Sequence, residues 1–321
     1  MSAILNITNG DCAVEVMQQA GIPGVFLPWR DVLHDGPVPG GLPLEELSGI
    51  RAAFIRRQGW GTVEKIRRVF VERDEMLRGF AAHEKVILWF EHDLYDQLQL
   101  LQILDWFCSH RPGDTRLTLI CSDRHLGELT PAEMADLRDR EEPVTEQHLQ
   151  LACKAWRAFC ASTPENWRAL LDEDIRLFPF LKSAVLRLLE EYPGCADGLS
   201  RTARQALEII RSGERRPGKI FRLNQKQEAQ RFMGDLSFWA VLQELLDSSP
   251  PLLRLSTGEH LQPAAVPNQE LRITPEGEQV LDGRRNWLDM STPDRWIGGV
   301  HLAPGSLWCW DTASAALVKR G

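Results

Sequence analysis

Four ionisable residues lie within six positions of the chain: Glu91, His92, Asp93 and Asp96. They follow the apolar run 86–90, and apolar residues at helical spacing come after them, so the group lies where a buried strand is followed by a helix. Carboxylates can bind a divalent metal, and an imidazole beside them can transfer protons. The group therefore predicts metal or acid–base chemistry, and a helix cap at Asp93 is the structural alternative.

Polar residues also follow three other predicted strands, at 9–11, 29–35 and 122–123. The carboxyl ends of parallel strands lie along one edge of a sheet, where ligands bind, so we expect one acidic crevice there. The residues that we expect to be catalytic are His92, Asp93, Asp96 and Asp11. The residues that we expect to bind the substrate are Asn9, Trp29, Arg30, Asp31, His34, Asp35, Gln97 and Asp123.

Carboxylates that lie close together repel one another, so they share a site only if a cation or a raised pKa compensates. Three arrangements satisfy this condition. A divalent metal binds among the oxygens, a carboxyl acts as general acid or base next to His92, or Arg30 and Arg124 neutralise the acids in a structural network. Single residues also have structural interpretations, because Asn9-Gly10-Asp11 is typical of a turn. The recurrence of such residues at four strand ends favours a polar-ligand site.

Composition and missing motifs narrow the class of protein. The chain has 321 residues, a net charge of −8 and seven cysteines, without a CxxC pair, which favours reduced thiols. No GxGxxG, GxxxxGK[ST], HExxH or GxSxG pattern is present, so ordinary dinucleotide binding and P-loop chemistry are disfavoured. We find no signal peptide and no apolar run long enough to span a bilayer. We therefore expect a cytoplasmic protein without a membrane partner.

The order of the elements predicts the fold. Strands alternate with helices up to about residue 140, which predicts a Rossmann-like α/β domain with a mostly parallel sheet over 1–140. Thr130, Pro131 and Glu133 form a capping box at the start of one of its helices. Residues 141–197 are predicted to be an α-helical connector. Three helices and two strands in 198–321 predict a winged-helix-like domain, which ends in a hairpin that turns at Pro304 and Gly305.

The second half carries a basic segment, 201–231, with nine basic and three acidic residues. Such a segment could face nucleic-acid phosphates. The residues that we expect to contact nucleic acid are Arg215, Arg216, Lys219 and Arg222. The third helix of this region, "SFWAVLQELLD", has no Arg or Lys to contact a guanine edge, which argues against sequence-specific reading of DNA. A protein partner is the alternative for this domain.

Several of these stretches resemble a bacterial family known as domain of unknown function 1835. The resemblance rests on "NGD", "WRDVLHDGPVP" and "LWFEHDLYDQLQLLQILDWF", and it covers residues 1 to about 130. The later stretches "LSRTARQALEII", "GDLSFW", "LRITPEGEQVL" and "RWIGGVHL" are similar to the winged-helix-like half of some members. The resemblance implies no activity and no catalytic residues.

Three functions remain open from the sequence. The leading hypothesis is an enzyme, a metal-assisted hydrolase or transferase, that acts on a small polar or phosphorylated metabolite or nucleotide. In this hypothesis Asp11, Asp93 and Asp96 hold a metal or orient the substrate, and His92 transfers a proton. The first alternative is a ligand-responsive DNA-binding regulator, and the second is an adaptor that holds a protein partner through the winged helix. A divalent metal is the only cofactor that the sequence suggests.

Overall fold

The computed structural model describes residues 3–258, 260, 261 and 269–320. The chain is mixed α/β and divides into two compact units. The first unit contains the chain up to Val185 together with Gly298–Val300. The second unit contains Leu186–Ile297 and His301–Gly321.

The described residues form twelve strands and twelve α-helices. The strands are β1 (Ile4–Thr8), β2 (Val25–Pro28), β3 (Gly36–Pro37), β4 (Lys85–Glu91), β5 (Arg116–Ser122), β6 (Glu142–Pro143), β7 (Leu253–Leu255), β8 (Leu271–Ile273), β9 (Arg295–Gly298), β10 (Val300–Leu302), β11 (Leu307–Asp311) and β12 (Ala316–Arg320). The α-helices are α1 (Asp11–Gln19), α2 (Leu44–Arg57), α3 (Val63–Arg78), α4 (Leu94–Ser109), α5 (Pro131–Asp136), α6 (Glu146–Phe159), α7 (Glu165–Ala169), α8 (Leu181–Leu189), α9 (Arg201–Arg211), α10 (Pro217–Gln225), α11 (Asp235–Asp247) and α12 (Pro275–Leu281). Short 3₁₀ helices cover Gly79–Ala82, Leu126–Glu128, Leu137–Arg140, Leu170–Asp172 and Trp287–Asp289.

A five-stranded sheet organises the first unit, in the order β2-β1-β4-β5-β6. The first four strands are parallel, and only the two-residue edge strand β6 is antiparallel. The register pairs Thr8 of β1 with Trp89 of β4, and Glu91 of β4 with Ser122 of β5. The predicted mostly parallel sheet is therefore confirmed.

Strand β4 lies at the centre of the sheet, and this position explains why its sequence is a continuous apolar run. Val86, Leu88 and Phe90 on one face and Ile87 and Trp89 on the other are all at most 3% exposed. A parallel strand that is covered on both faces has no polar side to alternate with. Helix α1 and the segment 126–137 cover the face that carries Ile87 and Trp89.

Two helix starts agree with the sequence. The Asp93 side chain caps α4 by accepting a hydrogen bond from the Asp96 backbone N–H. Thr130 and Glu133 form the predicted capping box of α5, with Pro131 as its first residue. Each cap gives a partner to backbone N–H groups that the first turn of a helix leaves unpaired.

The second unit combines helices with short antiparallel strand pairs. Ser200 caps α9, as predicted, by accepting a hydrogen bond from the Ala203 N–H. Strand β7 pairs with β8, and β11 pairs with β12. Pro304 and Gly305 form the predicted tight turn, closed by the Ser306 N–H and the Ala303 carbonyl. The sequence did not predict the hairpin of β11 and β12 that follows it, which turns at residues 312–315.

The lengths and hydropathies of the helices bear on a membrane role. No helix of the described residues is both long enough and apolar enough to cross a lipid bilayer.

Candidate functional site

The chain reverses its direction of travel across the sheet between β1 and β4. From β1 it passes to β2 on one side, and the later strands β4 and β5 are added on the other side. The carboxyl ends of β1 and β4 therefore form a topological switch point, which is where open α/β sheets bind ligands. Glu91 is the last residue of β4, and Asn9 follows β1 directly.

Asn9 and two carboxylates are joined at this switch point. The Asn9 amide nitrogen donates hydrogen bonds to Glu91 Oε1 (2.8 Å) and to Asp96 Oδ2 (2.9 Å). The other oxygen of Asp96 accepts from the Glu91 backbone N–H at 2.8 Å. The side chain of Gln97 donates to the Glu91 carbonyl at 2.7 Å. Predicted site residues from two strand ends are therefore in direct contact.

Asp93 and Asp96 differ in role although they are three residues apart. Asp93 Oδ1 caps α4 at 3.1 Å from the Asp96 nitrogen, which leaves Oδ2 free of the cap. Asp96 is 1% exposed. Burial, followed by the charges of Glu91 and Asp93, raises the pKa of Asp96 well above its usual range. Asp96 is therefore an internal member of the network.

His125, which the sequence did not suggest, completes the cluster. It follows the end of β5 by three residues, and its Nδ1 lies 2.7 Å from Glu91 Oε2 and 3.5 Å from Asp93 Oδ2. The next residue, Leu126, donates its N–H to Glu91 Oε1 at 2.7 Å. Hydrogen bonds with Asp93 and Glu91 raise the pKa of His125 to about 9. At neutral pH, His125 is an imidazolium held by two carboxylates.

His92 is the second imidazole of the site. Its ring lies 5.0 Å from that of His125 and 5.8 Å from that of Phe180, measured between centroids. Its Nδ1 is buried and has no hydrogen-bond partner among the described residues. Burial lowers the pKa of His92, although the charge of Asp93 acts in the opposite direction. The site therefore pairs a neutral imidazole with a charged one.

Three side chains of the site have metal-ligating atoms. One atom each from Glu91, Asp93 and His125 lies within 4.8 Å of the other two. This is the only such group of three or more residues in the part of the chain that the structure describes. Two carboxylates and one imidazole suit a divalent cation such as Mn²⁺ or Zn²⁺. A metal would have to replace the proton on His125 Nδ1, because only the neutral imidazole ligates.

Two predicted residues lie at the strand ends but make exposed ion pairs. Asp11 and Arg30 are joined by several hydrogen bonds, one of them 2.5 Å long, and Arg30 lowers the pKa of Asp11. Asp123 pairs with Arg140 at 3.1 Å, and its charge acts on His92. Neither carboxylate belongs to the hydrogen-bonded cluster around Glu91.

Asp31 lies in a different environment, which corrects its expected place in the crevice. It is fully buried, and its Oδ1 accepts two hydrogen bonds from the buried Arg51, at 3.0 and 2.9 Å. Arg73 Nη1 lies 3.8 Å from Asp31 Oδ2, and the Arg73 guanidinium stacks over Trp29 at 4.2 Å. Asp31 and Trp29 are therefore parts of a buried ionic network.

His34 and Asp35, in the loop after Asp31, also contact the buried surroundings of Arg51 and Asp31. The Asp35 carbonyl accepts from Arg51 Nη1 at 2.6 Å. His34 is 6% exposed, and its ring lies 6.0 Å from that of Tyr95. His34 Nε2 is 3.6 Å from the Asp35 carboxylate. These contacts fix the loop, and they are separate from the cluster at Glu91 and His125.

The four basic residues expected to contact nucleic acid lie just before α10 (Arg215, Arg216), in its first turn (Lys219) and in its last turn (Arg222). Arg215, Arg216 and Arg222 are exposed, and Lys219 is half-buried. Arg216 and Lys219 each lie 3.8 Å from the Glu214 carboxylate. Arg215 lies 4.0 Å from that of Glu270. Local acids therefore offset part of the positive charge that the sequence suggested.

No protein-family model matches the chain, and no curated protein matches it. The resemblance to domain of unknown function 1835 therefore stays a prediction.

Proposed function

We propose that the chain is a hydrolase or transferase that acts on a small polar substrate at the carboxyl ends of β1, β4 and β5. One observation carries the proposal: two imidazoles lie 5.0 Å apart at a topological switch point, one bound to two buried carboxylates and the other with an unpartnered Nδ1. When the environment raises the pKa of one group and lowers that of its neighbour, the two groups are suited to act as acid and base. His92 and His125 satisfy this condition.

Each residue then has a distinct role. His92 is neutral and accepts a proton from the attacking group. His125 is charged and stabilises negative charge as it develops, or returns a proton to the leaving group. Glu91 and Asp93 hold the His125 ring in position, and Asn9 holds Glu91. A carboxylate that orients a histidine in this way selects its tautomer and favours its charged form.

The charge of the site constrains the substrate. Glu91 and Asp93 set two negative charges against the one positive charge of His125, so an anionic phosphate would meet net repulsion unless a cation accompanied it. A phosphorylated metabolite or nucleotide therefore implies a divalent metal, and a neutral polar substrate does not. The metal-assisted reaction is the second candidate, and the three ligand atoms of Glu91, Asp93 and His125 within 4.8 Å of one another favour it.

A thermal-shift screen with Mn²⁺, Mg²⁺, Zn²⁺, nucleotides, sugar phosphates and uncharged sugars and nucleosides tests both candidates, because a ligand that binds only the folded state raises the melting temperature. We expect a shift with wild type that Glu91→Gln and His125→Gln remove. With the ligand so identified as substrate, His92→Gln should lower kcat by about 10²- to 10⁴-fold without lowering the melting temperature. His110→Gln, in which an exposed histidine stacked on Trp106 is changed, is the matched control.

The pattern of shifts separates the two candidates. A shift with a metal alone favours the metal-assisted reaction. A shift with an uncharged polar metabolite and none with any metal favours the metal-free reaction. No shift with any compound, together with recovery of one stoichiometric protein partner, would instead support the adaptor function.

We also propose that the second unit contains a winged helix. The order α9, α10, α11, β7, β8 supports this, and so does the backbone hydrogen bond from the Leu271 N–H to the Arg215 carbonyl, which adds an extended residue beside β8. Helix α11 contains no basic residue, so contact with DNA would depend on Arg215, Arg216, Lys219 and Arg222. A protein-contact module is the alternative.

A DNA-binding assay over a range of salt concentrations tests the regulator function. Each phosphate contact that is lost should reduce the slope of log K against log salt by about 0.9. Arg215→Ala with Arg216→Ala should therefore weaken binding and flatten the slope, whereas Arg284→Ala with Arg285→Ala is the matched control elsewhere in the unit. Absence of salt-dependent binding by wild type would leave the adaptor function.

The cellular location is also a proposal. The seven cysteines are free thiols, which supports a reducing compartment and thus the cytoplasm.

A further inference from the structure

A cavity of about 700 Å³ opens beside α4 and α6 in the first unit. Two cysteines line it, Cys108 near the end of α4 and Cys153 in the middle of α6. Basic and acidic side chains surround them, namely Arg111, Lys154, Arg157, Glu146 and Glu173. Charged side chains and both cysteines therefore line the cavity, which is wide enough for small molecules.

The two cysteines are neighbours across the packed helices. Cys108 Sγ donates to the Leu149 carbonyl at 3.0 Å, and Cys153 lies one helical turn after Leu149 on the same face of α6. A helical carbonyl points towards the backbone N–H four residues later, so the Cys108 sulfur lies beside Cys153. The Asp105 carboxylate also acts on the Cys153 thiol. Neither cysteine is fully buried, so both sulfurs are accessible from the cavity.

We propose that Cys108 and Cys153 are a redox-active dithiol, which a hydroperoxide entering this cavity converts into a disulfide between α4 and α6. Nothing in the proposed acid–base reaction uses these residues. A disulfide requires two cysteines that face each other at close range, and the contact between α4 and α6 brings Cys108 and Cys153 into this arrangement. The cavity gives the oxidant access to them.

The reaction proceeds in two balanced steps. In the first, written for hydrogen peroxide, the Cys108 sulfur attacks one peroxide oxygen, the O–O bond breaks, and the departing hydroxide combines with the Cys108 proton to form water; an alkyl hydroperoxide would release its alcohol instead. Cys108 becomes a sulfenic acid. In the second, Cys153 transfers its proton towards Asp105 and attacks the Cys108 sulfur. The S–O bond breaks, a second water leaves with that proton, and the disulfide has formed; the thiols have lost two electrons and the peroxide has gained them.

The surroundings indicate which sulfur reacts first. Burial raises the pKa of both thiols, and for Cys153 the neighbouring Asp105 adds to this effect and brings the value to about 12. For Cys108, the neighbouring Cys153 side chain and the charge of Arg111 lower the pKa and so oppose the effect of burial. Cys108 is therefore the first nucleophile, and oxidation should be slow at neutral pH and faster at alkaline pH, because the thiolate is the reactive form.

The test uses the full, reduced chain exposed to hydrogen peroxide, quenched by alkylation in denaturant and digested without reductant. Mass spectrometry should show the peptides of Cys108 and Cys153 joined and lighter by two hydrogen atoms than their reduced sum. A thiol reductant should separate them. Cys153→Ser should instead leave a Cys108 sulfenic acid that a dimedone probe labels, and Cys160→Ser, at a buried thiol just after α6, should leave the cross-link unchanged.

The peptide map of the wild-type chain shows whether the Cys108–Cys153 disulfide forms, even if a variant fails to fold. Loss of alkylation at the exposed Cys12, while Cys108 and Cys153 remain fully alkylated as free thiols, would overturn the proposal. A cross-link from Cys108 to a second copy of the chain, with none to Cys153, would overturn it as well.

Discussion

The Asn9 amide nitrogen lies within 2.9 Å of a Glu91 oxygen and an Asp96 oxygen at the same time. Asn9 follows one central strand, and Glu91 ends the neighbouring one. A neutral donor therefore joins two carboxylates that would otherwise repel each other. The cluster with His125 depends on this contact, because the same Glu91 oxygen also accepts from the Leu126 N–H.

Replacement of Asn9 by Ala should destabilise the fold. The change leaves Asp96 Oδ2 without a donor, whereas Glu91 Oε1 keeps the Leu126 N–H. A buried acceptor that loses its donor costs about 1–3 kcal/mol, so we expect the free energy of unfolding in urea to fall by about that amount. The matched control, Asp11→Asn, breaks an exposed ion pair and should cost less than about 1 kcal/mol. Equal losses in the two variants would show that Asn9 does not carry the cluster.

The stability of the protein should fall as the pH rises from 6.5 to 8. The pKa of His125 is about 9 in the folded protein and about 6.5 when unfolded, so its contribution is complete below 6.5 and is lost as the pH rises through 9. One such group changes the unfolding free energy by at most about 1.4 kcal/mol per pH unit, and by less for a ring that is partly exposed to solvent.

Urea unfolding at several pH values in this window measures the effect. The histidines with a lowered pKa, His92 and His148, change the unfolding free energy mainly below pH 6.5. Thiols ionise mainly above pH 8. His125→Gln should therefore flatten the dependence, and His110→Gln should leave it unchanged. A wild-type stability that is constant from pH 6.5 to 8 would contradict the raised pKa of His125.

The Asp93 charge should act on both imidazoles in the same direction. It raises the pKa of His125 by hydrogen bonding and opposes the effect of burial on the pKa of His92. Asp93→Asn should therefore lower both pKa values, which NMR titration of labelled imidazoles measures directly. Asp123→Asn is the control, because Asp123 is 61% exposed and paired with Arg140, so only a small change at His92 is expected. A His92 that titrates above 6.5 in wild type would remove the proposed proton acceptor.

The buried pair of Arg51 and Asp31 should be far more important for stability than an exposed pair. Arg51→Leu leaves a buried carboxylate without its main partner, at a cost of about 3–5 kcal/mol. Arg140→Leu breaks the exposed pair with Asp123 and should cost less than about 1 kcal/mol. Denaturant unfolding of the two variants compares these costs. Similar values would mean that Arg73 alone compensates the charge of Asp31.

Sequence reasoning predicted the parallel sheet because each central strand is a short apolar run bounded by turn residues. It also predicted the caps at Asp93 and Thr130, because a cap depends only on residues within one helical turn. It predicted polar groups at four strand ends, and the structure joins Asn9, Glu91 and Asp96 at two of them.

The rest of the site depended on distant partners. Asp31 follows a strand end as Asp93 does, but Arg51 and Arg73 come from helices 20 and 42 positions later and enclose it, which no local pattern reveals. His125 was missed because it follows β5 by three residues in a segment without a motif. The single available signal was its position just after the strand end at Ser122, beside Asp123.

The Asn9–Glu91 contact spans 82 positions of the chain, and the His125–Glu91 contact spans 34. Parallel neighbours cannot be joined by a tight turn, so every one of these contacts waits until the intervening helices have packed. A nascent chain or a proteolytic fragment that stops before β5 would carry Glu91 and Asp93 without their imidazolium. Such a fragment would expose Glu91 and Asp93 at the end of an edge strand, and their imidazolium would be in place only after β5 had joined the sheet.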